Sequence, residues 1–137
     1  MNRHMAIVVC GVLGGCVAPA GPPAGTQFDG SYAGESTLTR GGGFMCGARS
    51  SAERLTVRGG RFDYPFAVNA PRTVPIPVQI AADGTFSAQM QYGTEDYWPW
   101  SRLRTAWVTV TGRVDGGTLA ATIDDYRCTR RLMAQIG

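Results

Sequence analysis

From Ser31 onward the chain alternates apolar and polar positions in short runs separated by glycine and Asp-Gly pairs. That period of two is the mark of strands with one buried face, and the glycine pairs between runs read as hairpin turns. Leu55 and Val57 point one way from a run flanked by Arg54 and Arg58, and Gly59-Gly60 then reverses the chain into Phe62, Tyr64 and Phe66. Ile76, Val78 and Ile80 form the next apolar row, Asp83-Gly84 turns, and Phe86, Ala88 and Met90 follow. Ala106, Val108 and Val110 lead through Asp115-Gly116-Gly117 to Leu119, Ala121 and Ile123. Asp124-Asp125 then opens a last strand expected over residues 126–134.

With an opening strand over residues 31–40, the count comes to about eight, and no stretch sustains a helical period. The fold class expected is all-β, a small antiparallel up-and-down meander. Closure into a barrel removes exposed sheet edges and is the economical arrangement, with a small β-sandwich as the alternative. Pro75 and Pro77 cannot donate to a ladder, so the strand holding Ile76 is expected at an edge or to start irregularly.

The start of the chain has a different character. Arg3, an apolar run over residues 5–13 and small residues before Cys16 make a segment too short to span a bilayer, which takes about 20 apolar residues, but long enough for a secretory signal. Leu13-Gly14-Gly15-Cys16 resembles the lipobox of bacterial lipoproteins, with Gly14 where Ala or Ser is commoner. The resemblance implies cleavage before Cys16, acylation of that cysteine and a membrane anchor. Val17 in place of Asp implies the outer membrane, facing the periplasm. The rival reading is a conventional signal cut after Ala20, which leaves a soluble periplasmic or secreted protein. The chain thus divides into a signal over residues 1–15, a tether over 16–27 rich in Pro, Gly and Ala and expected to stay extended and unpacked, and a β-barrel domain over 28–137.

Export changes the reading of the cysteines. Cys46 and Cys128 remain in the mature domain, in an oxidising compartment, and are expected to form a disulfide. It would tie the glycine-rich loop after the first strand to the last strand and contribute about 4 to 5 kcal/mol by loop entropy. No histidine or third cysteine accompanies them, so no metal site is expected, nor any cofactor.

All 13 basic residues are arginine, the only histidine is His4, and after removal of the signal 12 Arg stand against 10 acids, a net of +2. So weak a balance argues against a nucleic-acid surface. Without Lys or His, the mature chain lacks the parts for Ser-His-Asp, Cys-His or Schiff-base chemistry. Carboxylates are what remains: Glu35, Glu53, Asp63, Glu95, Asp96, Asp124 and Asp125. A glycosidase pair is conceivable among them, but most flank turns or alternate outward, where solvation explains them, and the domain is expected not to be an enzyme.

Two features invite a binding role. Tyr92, Tyr97, Trp98, Trp100 and Trp107 crowd one loop and its flanks, with Arg102 and Arg104 beside them. Such rings stack on sugars or anchor a partner, or they plug a barrel end. Arg130 shares the face of Tyr126, Cys128 and Leu132 by alternation, so it points inward and needs a partner: an internal acid such as Glu35, or an anionic ligand. FDGSYAGE at residues 28–35 and YRCTRR at 126–131 resemble small uncharacterised exported proteins of Gram-negative bacteria, a resemblance that brings no activity with it. The expected function is a non-enzymatic binding or structural role in the cell envelope, with an envelope protein or glycan as partner. The alternatives are a barrel carrying a small or anionic ligand, or an inhibitor of an extracellular enzyme.

Overall fold

The computed structural model describes residues 21–43, 46–69, 72–93 and 105–137. Eight strands follow one another: β1 (Gly30–Arg40), β2 (Ser50–Val57), β3 (Arg61–Asn69), β4 (Arg72–Gln79), β5 (Thr85–Gly93), β6 (Thr105–Asp115), β7 (Thr118–Asp125) and β8 (Thr129–Ile136). Every pairing is antiparallel. They form a six-stranded sheet in the order β2-β1-β8-β7-β6-β5 and a two-stranded sheet, β3-β4. The all-β class and the hairpins thus follow the alternation in the sequence. The hydrogen-bonded ladder does not run on into a closed barrel, and the layout is the sandwich-like one.

The two sheets bury their apolar rows against each other. Phe62, Tyr64, Phe66, Ile76 and Val78 from the hairpin meet Tyr32, Phe86, Val108, Val110, Leu119 and Leu132 from the larger sheet. Phe62 packs edge-on against Phe86 with ring centroids 5.3 Å apart, and Phe66 against Tyr92 at 5.1 Å.

Backbone parity explains why the ladder stops. Arg58 and Arg61 exchange both hydrogen bonds across the β2–β3 turn, Ile80 donates to Gly60, and Ala81 donates to Thr85. Backbone groups alternate sides along a strand, so odd-numbered residues of β3 face β2 and odd-numbered residues of β4 face β5. Pro65, Pro75 and Pro77 all fall on these outward-facing positions. None has an N–H to offer, and proline in a sheet is confined to such edges. Among the described residues only single bridges join the sheets, Arg58 with Arg61 and Ile80 with Phe86, both at hairpin turns. From those turns the two seams, β2/β3 and β4/β5, run without a ladder. The expected edge placement of Pro75 and Pro77 is met.

Two expectations are corrected. The last seven residues of the expected tether pack instead of standing free: Pro23 bridges Ala81, Ala24 donates to the Ile80 carbonyl at 2.9 Å, and Ala82 donates to Pro22 at 2.8 Å. Ala24 is buried, so the segment caps the turn end of the hairpin, and Asp29 beyond it accepts from the amides of Gly59 and Gly60. The last strand begins at Thr129, not Tyr126, because Asp125 draws the chain into a turn; Tyr126 is left 51% exposed and does not join the core.

Gly34 lies where β1 crosses the β8 backbone: a Cβ there would strike the Met133 carbonyl and lie 2.5 Å from the Ala134 Cα, whereas one at Gly42 would meet nothing within 4 Å. Gly34→Ala is expected to lower stability by about 1 to 3 kcal/mol through overpacking and Gly42→Ala to change it by less than about 0.5 kcal/mol, as read from urea midpoints at constant slope.

Candidate functional site

The connections of the meander alternate between two ends. At one end lie the tight turns at Gly59-Gly60, Gly84 and Gly116-Gly117 together with the packed N-terminal segment. At the other lie the β1–β2 loop, the β7–β8 turn and the strand ends Gly93 and Thr105. A cleft of about 220 Å³ opens at this second end, where β2 and β3 have parted. Its walls are Ser51 and Glu53 of β2, Tyr64–Ala67 of β3, and the disulfide loop with Arg127 and Arg130 behind it.

The disulfide is formed. Cys46 and Cys128 have Cα atoms 5.7 Å apart across a sequence separation of 82, and Cys128 directly precedes β8. Gly41 makes room for it: its φ is +92°, and a Cβ would lie 2.5 Å from the Arg127 carbonyl oxygen and 2.8 Å from the Cys46 Sγ.

Arg130 points inward, as the alternation predicts, but Glu35 does not neutralise it. Its Nε donates to the Ser36 hydroxyl at 2.8 Å, Nη1 to the Cys46 carbonyl at 2.9 Å, and Nη2 to the carbonyls of Ala48 at 2.7 Å and Ser36 at 3.4 Å. The side chain clasps the disulfide loop onto β1 and β8. Glu35 bonds the Ser50 hydroxyl instead. Four of the five guanidinium N–H groups are thereby engaged; Arg130 has the role of a brace, with little left to hold an anion.

Asp125 is the second organising group. It is 5% exposed, contrary to the solvated role expected for acids at turns. One oxygen accepts from the backbone N–H groups of Arg127 and Cys128 at 2.8 and 2.7 Å. The other accepts from the Tyr92 hydroxyl at 2.9 Å and from Arg127 Nη2 at 3.0 Å. The turn chemistry expected of Asp124-Asp125 is present, with a buried ion pair added to it. The Arg127 guanidinium also lies over the rings of Tyr92 and Tyr126, at 5.5 and 5.8 Å. Burial and the Asp125 charge push the Tyr92 hydroxyl well above the usual phenol range.

Glu53 differs from Asp125. It sits half-buried on the inward row of β2, above Leu55 and Val57. Burial raises its carboxyl above the usual range, opposed by the Arg130 charge and a hydrogen bond with Ser51. The ion pairs among the described residues are Arg40–Asp124 and Arg127–Asp125, so Glu53 has no cationic contact. Tyr64, facing the same space and hydrogen-bonded to Ser36, is pushed up to about 12 by burial first and by the Glu53 charge second.

Tyr97, Trp98, Trp100 and Arg102 lie outside the described residues, as does Cys16. Of the aromatic group, Tyr92 is buried and Trp107 stands 57% exposed on the outer face of β6, beside Gln91 of β5. Among the described residues no three His, Cys, Asp or Glu side chains are placed to hold a metal ion. Ser36, the cleft-facing role of Tyr64 beyond its place on an apolar row, and the inward turn of Glu53 were not foreseen. The period that sends Leu55 and Val57 inward contains the signal for Glu53.

Removal of the two neighbouring acids should cost very different amounts. Asp125→Ala breaks the buried ion pair with Arg127 and removes the acceptor of the turn amides, and is expected to cost about 3 to 5 kcal/mol, while Asp124→Ala, at an exposed pair with Arg40, costs less than about 1 kcal/mol; chemical denaturation measures both. Tyr64 supplies a pH test. A raised hydroxyl contributes stability that is whole below the ordinary phenol pKa and is lost as pH rises through the folded value, so stability should fall between about pH 10 and about 12. Tyr64→Phe should flatten that fall, and phenolate absorbance should lose a step near its upper end. Comparison of the chain with protein-family models, with curated proteins and with solved structures found no match.

Proposed function

We propose that this chain is an exported envelope lipoprotein whose folded domain binds a partner, without catalysis, at the end closed by the Cys46–Cys128 disulfide. One observation carries the reading: the segment that follows the lipobox packs at the turn end, while the cleft, the disulfide loop and exposed Trp107 and Tyr126 gather at the opposite end. Six residue steps separate Cys16 from Pro22, a reach of about 20 Å when extended. An anchor on Cys16 therefore holds the turn end near the membrane and presents the cleft end away from it, toward a protein or glycan of the envelope.

The same geometry bears on the alternatives. Ile76, Val78, Ile80, Leu119 and Leu132 fill the interior below the cleft, so a small ligand would sit at the mouth and not inside. The eight strands suit a barrel scaffold parted along two seams, which keeps the ladder order of a meander while opening one end. Asp125, already neutralised by Arg127, is poorly suited to partner Glu53 in acid–base chemistry.

Intact mass spectrometry of the protein from its own envelope, with and without reductant, tests the anchor and the staple together. The expected product is an acylated chain beginning at Cys16 that gains the two thiol hydrogens on reduction. An unmodified chain beginning at Gly21 would refute the anchor and, with it, the presentation of the cleft away from a membrane.

A further inference from the structure

We propose that the β2 edge and the cleft beside it dock an extended polypeptide segment that places a lysine or arginine side chain against Glu53. The inference rests on the reading that this end is the binding end, and it names the chemistry of the occupant.

The β2 edge is a template on one side only. Its odd-numbered residues pair toward β1, as the Leu38 amide bonding the Arg49 carbonyl shows. The N–H and C=O groups of Ala52 and Arg54 therefore face the β2/β3 seam. Across it, Pro65 offers no donor. An incoming strand thus gains an unbroken ladder from β2 and only an interrupted one from β3, and peptides add to a sheet edge that offers such a ladder. A strand laid along β2 continues its alternation. Side chains on its inner row enter the cleft beside Glu53, and those on its outer row lie beside Ala52 and Arg54.

Charge decides what the inner row carries. Three of the four charged groups lining the cleft are already served: Arg127 and Asp125 by each other, and Arg130 by Ser36 and the loop carbonyls. Glu53 has acceptor capacity beyond its bond with Ser51 and no cation in contact. A carboxylate held that way weighs against the fold, because burial disfavours its charged form. An ammonium or guanidinium group supplies the missing partner, and opposite charges across a strand pair are favourable. Pro65, Phe66 and Ala67 give the wall an apolar stretch that suits the aliphatic stem of such a side chain. The cleft of about 220 Å³ admits one long side chain and not a folded body.

The test is an NMR titration of the full mature protein, in detergent if acylated, with three blocked peptides of sequence Thr-Val-X-Thr-Val where X is lysine, norleucine or glutamate. The lysine peptide is expected to shift Ser51, Ala52, Glu53 and Arg54 saturably, and the norleucine peptide to bind about tenfold more weakly. Glu53→Gln, checked for an intact disulfide, should erase that difference. Equal binding of lysine and norleucine peptides overturns the charge assignment, as does preference for glutamate, though either leaves a binding end in place. No shift from any peptide overturns the docking itself, while the mass of the native chain independently judges the anchored reading. Concentration-dependent shifts along β2 without peptide would give the edge to a second copy of this chain and overturn the proposal.

Discussion

A proline has no backbone N–H, and three of them set the shape of this domain. Pro65, Pro75 and Pro77 occupy the positions of the β3–β4 hairpin whose backbone faces outward, to either side. Pro75 and Pro77 withhold two donors from the β4/β5 seam and Pro65 withholds one from the β2/β3 seam, so neither seam can carry a complete ladder beyond the bridges Arg58–Arg61 and Ile80–Phe86. The strands instead part from their turns, and the parting of β2 from β3 makes the cleft. Apolar packing across the sheets, led by Phe62 on Phe86 and Phe66 on Tyr92, holds together what the hydrogen bonds do not.

An open end needs reinforcement, and the polar groups supply it. The disulfide fixes the β1–β2 loop to the start of β8, Arg130 ties the same loop through its carbonyls, and Asp125 fixes the β7–β8 turn while neutralising Arg127. These braces share the loop and turn next to the cleft, so the loss of one loosens the wall that the others hold. Asp124 and Arg40 add a weaker outer clasp; hydrogen bonds from Thr129 and from Arg40 hold the Asp124 carboxyl below the usual range. Its contribution is present above the ordinary carboxylate pKa and is lost as pH falls through the lowered one. Glu53 stands beside this network, within reach of the Arg130 charge but outside the ion pairs among the described residues.

Much of this was legible in the sequence. Alternation pointed to the succession of strands and the hairpin turns; two cysteines in a chain read as exported pointed to the staple; Pro75 and Pro77 pointed to an edge strand. The same parity argument applied to Pro65 would have foretold the open seam, but it needs the register of the turn at Gly59-Gly60, and only the structure fixes that. Arg130 was placed inward and paired with Glu35 in error, since backbone carbonyls of a loop carry no mark in the sequence. Asp125 passed for turn chemistry because its burial depends on Tyr92, 33 residues earlier. The last seven residues of the expected tether were misjudged for a related reason: Pro, Gly and Ala are as fit to line a turn as to stay in solvent.

In this architecture the two seams are open and the backbone groups along them lack a ladder partner beyond the turns. Residue-resolved amide hydrogen exchange measures this directly. Along β2 the amides of Glu53 and Leu55, bonded to β1, should exchange slowly, while those of Ala52 and Arg54 exchange fast. Along β5, Ala88 and Met90 should be slow and Gln89 and Gln91 fast. Uniform slow exchange along both strands would mean that the ladders close around the domain, and it would remove the physical basis for a cleft between β2 and β3.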